Sequence, residues 1–409
     1  MNSEFKDTLY LFSCGALNII PHLENKINIK KISEISHKQG IWEVVYIALK
    51  KCNDLDIPKA LSEQWEQHFL GVAVKHLRRQ NVINTVLNEL KANNIDAYML
   101  KGDIVAQYYA EPLSRISSDT DIYVGQEQLN RAENIFKKCG FTVYARSPIE
   151  HHTVCKHPVG GSVDLHLTFH DDCYENTYFK GYTHISEKGT IYNIENQDVL
   201  SLGANDNATF LFLHIVKHFL SCGTGIRQIM DFLLFWKNNI DKINIEQFKT
   251  MISDLKLYNL FELCVSIGIN ELQFEQSLFS DFDIKYNHFF TEWLLTDIEQ
   301  GGIFGKLEYR KMTHYAMFGG DMQITKDKKT FLKYLKLYAK TFSYEYLSKK
   351  YNYLENNRLL FPIAFVNRIY EIVASAVRVR NTMKKSVMNN DEYVNIKNRM
   401  SIIEQINKH

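Results

Sequence analysis

The stretch ISSDTDIYV, residues 116–124, decides how this chain is read. Its β-branched and aromatic residues suit an extended strand. A strand sends successive side chains to opposite faces, so Asp119 and Asp121 project from one face and Thr120 and Ile122 from the other. Two carboxylates held that close cost free energy unless a cation stands between them. A hard divalent ion such as Mg²⁺ takes carboxylate oxygens together with substrate phosphates. An isolated Asp-x-Asp is more often a solvated turn or strand end. This one lies within a β-compatible run, follows a strand-glycine-helix element and precedes a second acid-bearing strand.

Upstream, IDAYMLKG (95–102) reads as a short buried strand ending at Gly102, followed by a helical turn through Ile104, Val105 and Tyr108. Downstream, QEQLNRAENIFKKCG (126–140) has the period of an amphipathic helix stopped by Gly140. FTVYAR (141–146) and HTVCKHP (152–158) are strand candidates. Gly160 and Gly161 turn the chain into SVDLHLTF (162–169), where Asp164 and His166 share a face. Residues 91–200 therefore read as a small mixed α/β unit. The flanks read as helical regions, 1–90 and 201–409. In the first, Trp42, Val45, Ala48 and Leu49, then Leu70, Val74, Leu77, Val82, Val86 and Leu90, keep helical spacing. In the second, helices are expected over 208–220, 226–238, 245–257, 258–280, 285–299, 327–350 and 362–388, with a break at Gly301, Gly302 and Gly305. The fold class expected is α+β and mostly helical.

Forty-eight Lys and Arg against 47 Asp and Glu leave a net charge of +1 over 409 residues. That balance gives no global attraction to nucleic acid. Glu4, Lys6 and Asp7 interrupt the N-terminal apolar run, so it does not read as a secretory signal. No run of ~18 uncharged apolar residues suggests a membrane span. Seven scattered cysteines without a Cys-x-x-Cys pair read as reduced thiols, and a cytoplasmic location is expected.

His214 and His218 lie four apart with Lys217 beside them, but no third zinc ligand is evident. His151, His152, His157, His166 and His170 cluster near Cys155 and Cys173, again without a recognised ligand spacing; strand alternation would gather a few of them. Both groups read first as packed polar residues. In GTGIRQIMD, Gly223 and Gly225 precede a helix whose N-terminus can face an anion, and Arg227 and Asp231 form an i,i+4 pair. The segment FLHIVKHFLSCGTGIRQIMD is the expected wall opposite the acids, turning Lys217, His218 and Arg227 toward them. The basic stretch 369–388 reads as the solvated face of a packed helix.

Taken in order, LKG, EPLSR, DTDIYV, VDLHLTF, FLFLHIVKHF, GTGIRQIMDFLLF, GGIFG and LLFPIAFVNR resemble the bacterial uncharacterised nucleotidyltransferases of the polymerase-β-like superfamily. The likeness covers roughly residues 80–380. It implies a nucleotidyltransferase palm flanked by helical units. It implies that Asp119, Asp121 and Asp164 are catalytic and bind two divalent metals, Mg²⁺ or Mn²⁺, with Asp164 helping to deprotonate an acceptor hydroxyl. It makes Gly102 the turn that cradles the triphosphate, with Lys101 beside it as a phosphate cation; Arg115, Ser118, Lys217, His218 and Arg227 are the further nucleotide contacts expected. The substrate is then a nucleoside triphosphate, ATP first among them, and the acceptor a small molecule, a protein or an RNA end. One departure is Asp103, where the superfamily usually has a second small residue. Its charge would repel a triphosphate unless it caps the following helix with its side chain turned away. A catalytically silent protein binding a nucleotide or a partner is the alternative this residue favours.

Overall fold

Seven strands assemble into one mixed sheet in the computed structural model. The structure describes residues 1–23, 27–53, 55, 57–117, 119–146, 151–169, 181–182, 184–221, 223–302, 339–351 and 353–385. The strands are β1 (Tyr98–Leu100), β2 (Asp119–Tyr123), β3 (Thr142–Val143), β4 (His152–His157), β5 (Gly161–His166), β6 (Thr190–Ile194) and β7 (Gln197–Ser201). Their spatial order is β3-β4-β5-β2-β1-β7-β6. Strands β2 and β5 run parallel, as do β1 and β7, while the other pairs are antiparallel.

The first five strands fall where alternation and glycine place them. The β6–β7 hairpin was not expected, because its turn contains no glycine. Glu195 and Asn196 turn it with φ of 50° and 64°. A two-residue turn with both φ positive usually carries Asn-Gly or Asp-Gly, the signal a reader looks for.

Helices precede, interrupt and follow the sheet. They are α1 (Ser3–Leu17), α2 (Ile29–Gln39), α3 (Trp42–Lys51), α4 (Lys59–Ala92), the single turn α5 (Asp103–Ala106) and α6 (Gly125–Lys138). After the sheet come α7 (Ala204–Ser221), α8 (Ile226–Asn239), α9 (Ile245–Asp254), α10 (Tyr258–Glu271) and α11 (His288–Gly301). One sheet face buries Met99, Ile122, Val163 and Leu165 against Ile83, Val86 and Leu90 of α4 and Ala132 and Phe136 of α6. The other face meets Phe210 of α7 through Leu100, Tyr123 and Phe169.

Helices from both ends of the sequence share a second core, in which Phe5, Phe12 and Trp42 join Phe212, Trp236 and Phe261. Helix α4 ties the two cores together: its Trp65 enters the helical core and its Ile83 the sheet core. Near the C-terminus, α12 (Tyr344–Lys350), α13 (Tyr353–Asn356) and α14 (Phe361–Lys385) gather around Leu347, Leu354 and Ala364. The helix expected over 327–350 starts outside the described residues, and Gly305 lies outside them too. Among the described residues no helix is long and apolar enough to cross a membrane.

Two glycines give opposite expectations for stability. A Cβ on Gly15 of α1 would stand 2.0 Å from the Val44 carbonyl oxygen of α3, whereas one on Gly71 of α4 would meet nothing within 4 Å. Gly15→Ala should therefore cost about 1–3 kcal/mol through backbone overpacking. Gly71→Ala should gain up to about 1 kcal/mol from helix propensity. Urea midpoints of the two variants against wild type check both signs.

Candidate functional site

Parallel pairing of β2 and β5 sets Asp121 directly beside Asp164, with Asp119 beside Ser162 and Tyr123 beside His166. The two-residue period turns Val163 and Leu165 into the core beneath and leaves Asp164 and His166 on the other face. One carboxylate oxygen each from Asp119, Asp121 and Asp164 lies within 4.8 Å of the other two. Three separate sequence positions thus form one acidic rim.

The turn after β1 aims a cation at this rim. Lys101 and Gly102 have φ of 29° and 52°, and Gly102 combines its positive φ with ψ of −111°. Side chains with a Cβ rarely adopt that conformation, so glycine is needed there for its backbone. Lys101 Nζ reaches Asp121 Oδ2 at 3.1 Å and His214 Nε2 at 3.4 Å. His166 Nε2 donates to Asp121 Oδ1 at 2.9 Å.

These partners divide the charge unevenly. Burial alone would raise the Asp121 carboxyl, but the Lys101 ammonium and the His166 ring outweigh it and hold Asp121 well below the usual carboxylate range. Asp164 receives less help. Burial first, and the Asp121 charge second, push it up to about 6. The crowding expected between neighbouring carboxylates therefore falls on Asp164, because Asp121 has already taken the cation.

Asp103 is buried and turned away from the rim. Its Oδ1 receives Arg79 Nη2 at 2.8 Å. Arg79 Nη1 also donates to the Ser117 carbonyl at 2.9 Å, on the segment that enters β2.

Helix α7 packs over the same sheet face. His214 contacts Lys101, and Lys217 Nζ lies 3.3 Å from His151 Nε2. The His218 ring packs edge-on to His214 with centroids 4.5 Å apart. Arg227 sends Nη1 to the Ile116 carbonyl at 2.8 Å, three residues before Asp119. At the start of α8 the Gly225 amide donates to Gln228 Oε1 at 2.9 Å, so the helix caps itself there.

The arginine pairing differs from the sequence expectation. Spacing pairs Arg227 with Asp231, but Asp231 is taken by Arg115, which donates through Nε and Nη2, and by the Tyr109 hydroxyl at 2.8 Å. Arg115 is buried in this pair, so it is a support beneath the loop and not a clamp beside the acids. A long-range partner with two oxygens and full burial outcompetes a helix-surface pair. Ser118 lies outside the described residues. Arg79 escaped sequence reading, since one arginine on a polar helix gives no signal of a buried partner. His166 did carry one, the face it shares with Asp164.

A family model described as uncharacterised nucleotidyltransferase matches residues 25–267. No curated protein matches the chain. Among solved structures, that of an antigenic nucleotidyltransferase-like protein from Paracoccidioides brasiliensis is 18% identical, with a TM-score of 0.28, over 39% of this chain and 76% of the other. That likeness is too slight to carry an argument.

The raised Asp164 carboxyl has a signature in stability. Its folded value of about 6 lies above its ordinary 3.8. Below about pH 4 both folded and unfolded chains hold the proton, and the site costs nothing. Between about pH 4 and 6 the unfolded chain ionises first, so stability falls as pH rises. The loss should total on the order of 2–3 kcal/mol above pH 6. Asp164→Asn should remove this slope, matching wild type near pH 4 and exceeding it above pH 6 in urea unfolding.

Proposed function

This chain belongs to the family of uncharacterised nucleotidyltransferases, and we propose that it moves a nucleoside monophosphate from a nucleoside triphosphate, ATP first among them, to an acceptor hydroxyl. The observation that carries this reading is the direct opposition of Asp121 and Asp164 across β2 and β5, with Asp119 completing the acidic rim. The donor set suits a hard divalent ion: three carboxylates converge, one of them short of positive charge, and Lys101 already answers the demand of another. Asp119, Asp121 and Asp164 would hold Mg²⁺ or Mn²⁺, which when bound supplies positive charge to the oxygens attacking and leaving phosphorus.

The remaining work falls to side chains of this protein. The acceptor oxygen forms a bond to the α-phosphorus, the bond from that phosphorus to the pyrophosphate oxygen breaks, and the hydroxyl proton passes to Asp164. Lys101 serves the triphosphate as a point charge, and Gly102 gives the turn that presents it. Lys217, His218, Arg227 and Ser118 complete the nucleotide contacts. Arg115 acts at a distance, holding through Asp231 the loop that delivers Asp119. A reduced, cytoplasmic setting fits the five described cysteines, all free.

The silent-binder alternative leaned on Asp103 beside the phosphate turn. With Asp103 paired to Arg79, that repulsion is gone and the enzyme reading is favoured. Incubation with each α-labelled triphosphate, Mg²⁺ or Mn²⁺ and a cell extract should move label onto protein, RNA or a small molecule. Asp164→Asn should slow transfer by about 10²–10⁴-fold. Binding is read separately: triphosphate with Mg²⁺ at a hundredfold excess over Kd should stabilise the fold by ~2.7 kcal/mol. Stabilisation without transfer would favour a binding protein, and neither effect would remove the nucleotide reading.

A further inference from the structure

One residue row beyond the acids, on the same sheet face, three imidazoles gather. The β4–β5 register sets His152 directly opposite His166, and His151 immediately precedes β4. Ring centroids lie 4.5 Å apart for His151 and His152, 5.0 Å for His151 and His166, and 5.3 Å for His152 and His166. One ring nitrogen from each residue lies within 4.8 Å of the other two.

The hydrogen bonding of His166 prepares it as a ligand. Asp121 holds Lys101 through one oxygen and is an acceptor at the other, so His166 Nε2 carries the proton. The lone pair therefore sits on Nδ1, which is buried and has no hydrogen-bond partner among the described residues. The residue is only 5% exposed, so water does not readily supply the missing donor. His152 Nε2 lies 3.6 Å from Asp164 Oδ2, a contact beyond hydrogen-bond distance that sets a carboxylate beside this ring too. An imidazole that leans one nitrogen on a carboxylate and presents the other is the common form of a metal-binding histidine.

Spacing supplies an independent observation. His152 Nδ1 and His151 Nε2 stand 3.4 Å apart. Zinc–nitrogen bonds of about 2.0–2.1 Å in a tetrahedron put neighbouring nitrogens ~3.3 Å apart.

We propose that His151, His152 and His166 form a transition-metal site for a divalent ion of the Zn²⁺ class, distinct from the carboxylate site. Asp121 and Asp164 serve it as outer carboxylates on His166 and His152. Imidazole nitrogen selects Zn²⁺ or Co²⁺ over Mg²⁺, which prefers oxygen. Lys217 Nζ, 3.3 Å from His151 Nε2, holds that lone pair in the metal-free protein and moves aside when the ion binds. This site stands apart from the transfer reading, since it asks nothing of a nucleotide.

The test uses the full chain, stripped with a chelator and titrated with Zn²⁺ by equilibrium dialysis in excess Mg²⁺. One Zn²⁺ per chain should be retained. His152→Gln should weaken binding by at least tenfold, while Asp119→Asn, outside the imidazole cluster, should leave it unchanged. X-ray absorption at the zinc edge of the wild-type protein reads the ligands without any variant and should show three imidazole nitrogens. No retained Zn²⁺, an oxygen-only shell, or binding lost in Asp119→Asn and kept in His152→Gln would overturn the proposal. In the first case the 3.4 Å contact is an imidazole–imidazole hydrogen bond.

Discussion

The parallel pairing of β2 with β5 is the constraint on which the rest of this structure depends. It forces Asp121 and Asp164 side by side in one row of the sheet. Two like charges at that separation, partly shielded from water, do not both ionise freely. The fold answers by giving one of them everything: Lys101 on one oxygen of Asp121 and His166 on the other. Asp164 is left as the group with an unmet demand for positive charge. On the proposed reading, that unmet demand is what a bound cation would answer.

Support for that row comes from arginines on elements far apart in sequence, Arg79 and Arg115 buried and Arg227 half-buried. Arg79 of α4 and Arg227 of α8 grip the consecutive carbonyls of Ser117 and Ile116, just ahead of the first catalytic candidate. Arg115, on the same segment, is locked to Asp231 of α8. Burying a guanidinium costs several kcal/mol unless its charge is matched, and breaking such a pair costs about 3–5 kcal/mol. The loop before β2 is therefore fixed by charge as well as by packing. The same contacts join the helical core to the sheet, so the acids are positioned by both halves of the molecule.

Much of the acidic rim was legible in the sequence, because it follows from a period of two. Alternation alone put Asp119 with Asp121, and Asp164 with His166. It also left a few of the clustered histidines on one face. What alternation cannot give is which strand lies beside which, and the adjacency of β2 and β5 is a fact of topology. The arginine partners were illegible for a related reason: Arg115 with Asp231 and Arg79 with Asp103 are long-range pairs chosen by burial, while sequence spacing offers only the i,i+4 neighbour. The β6–β7 hairpin was hidden by local chemistry, since Glu195 and Asn196 hold a turn that glycine usually marks.

On the proposed reading, the acids of β2 and β5 are a cation-and-phosphate site that Lys101 fills until substrate arrives. A crystal structure with a non-hydrolysable nucleoside triphosphate analogue and Mn²⁺, phased to show manganese by its anomalous scattering, tests it most directly. Manganese bounded by Asp119, Asp121 and Asp164, with Lys101 Nζ moved from Asp121 onto a phosphate, is the result expected. Saturating analogue bound away from this sheet face, with Lys101 still resting on Asp121, would contradict it.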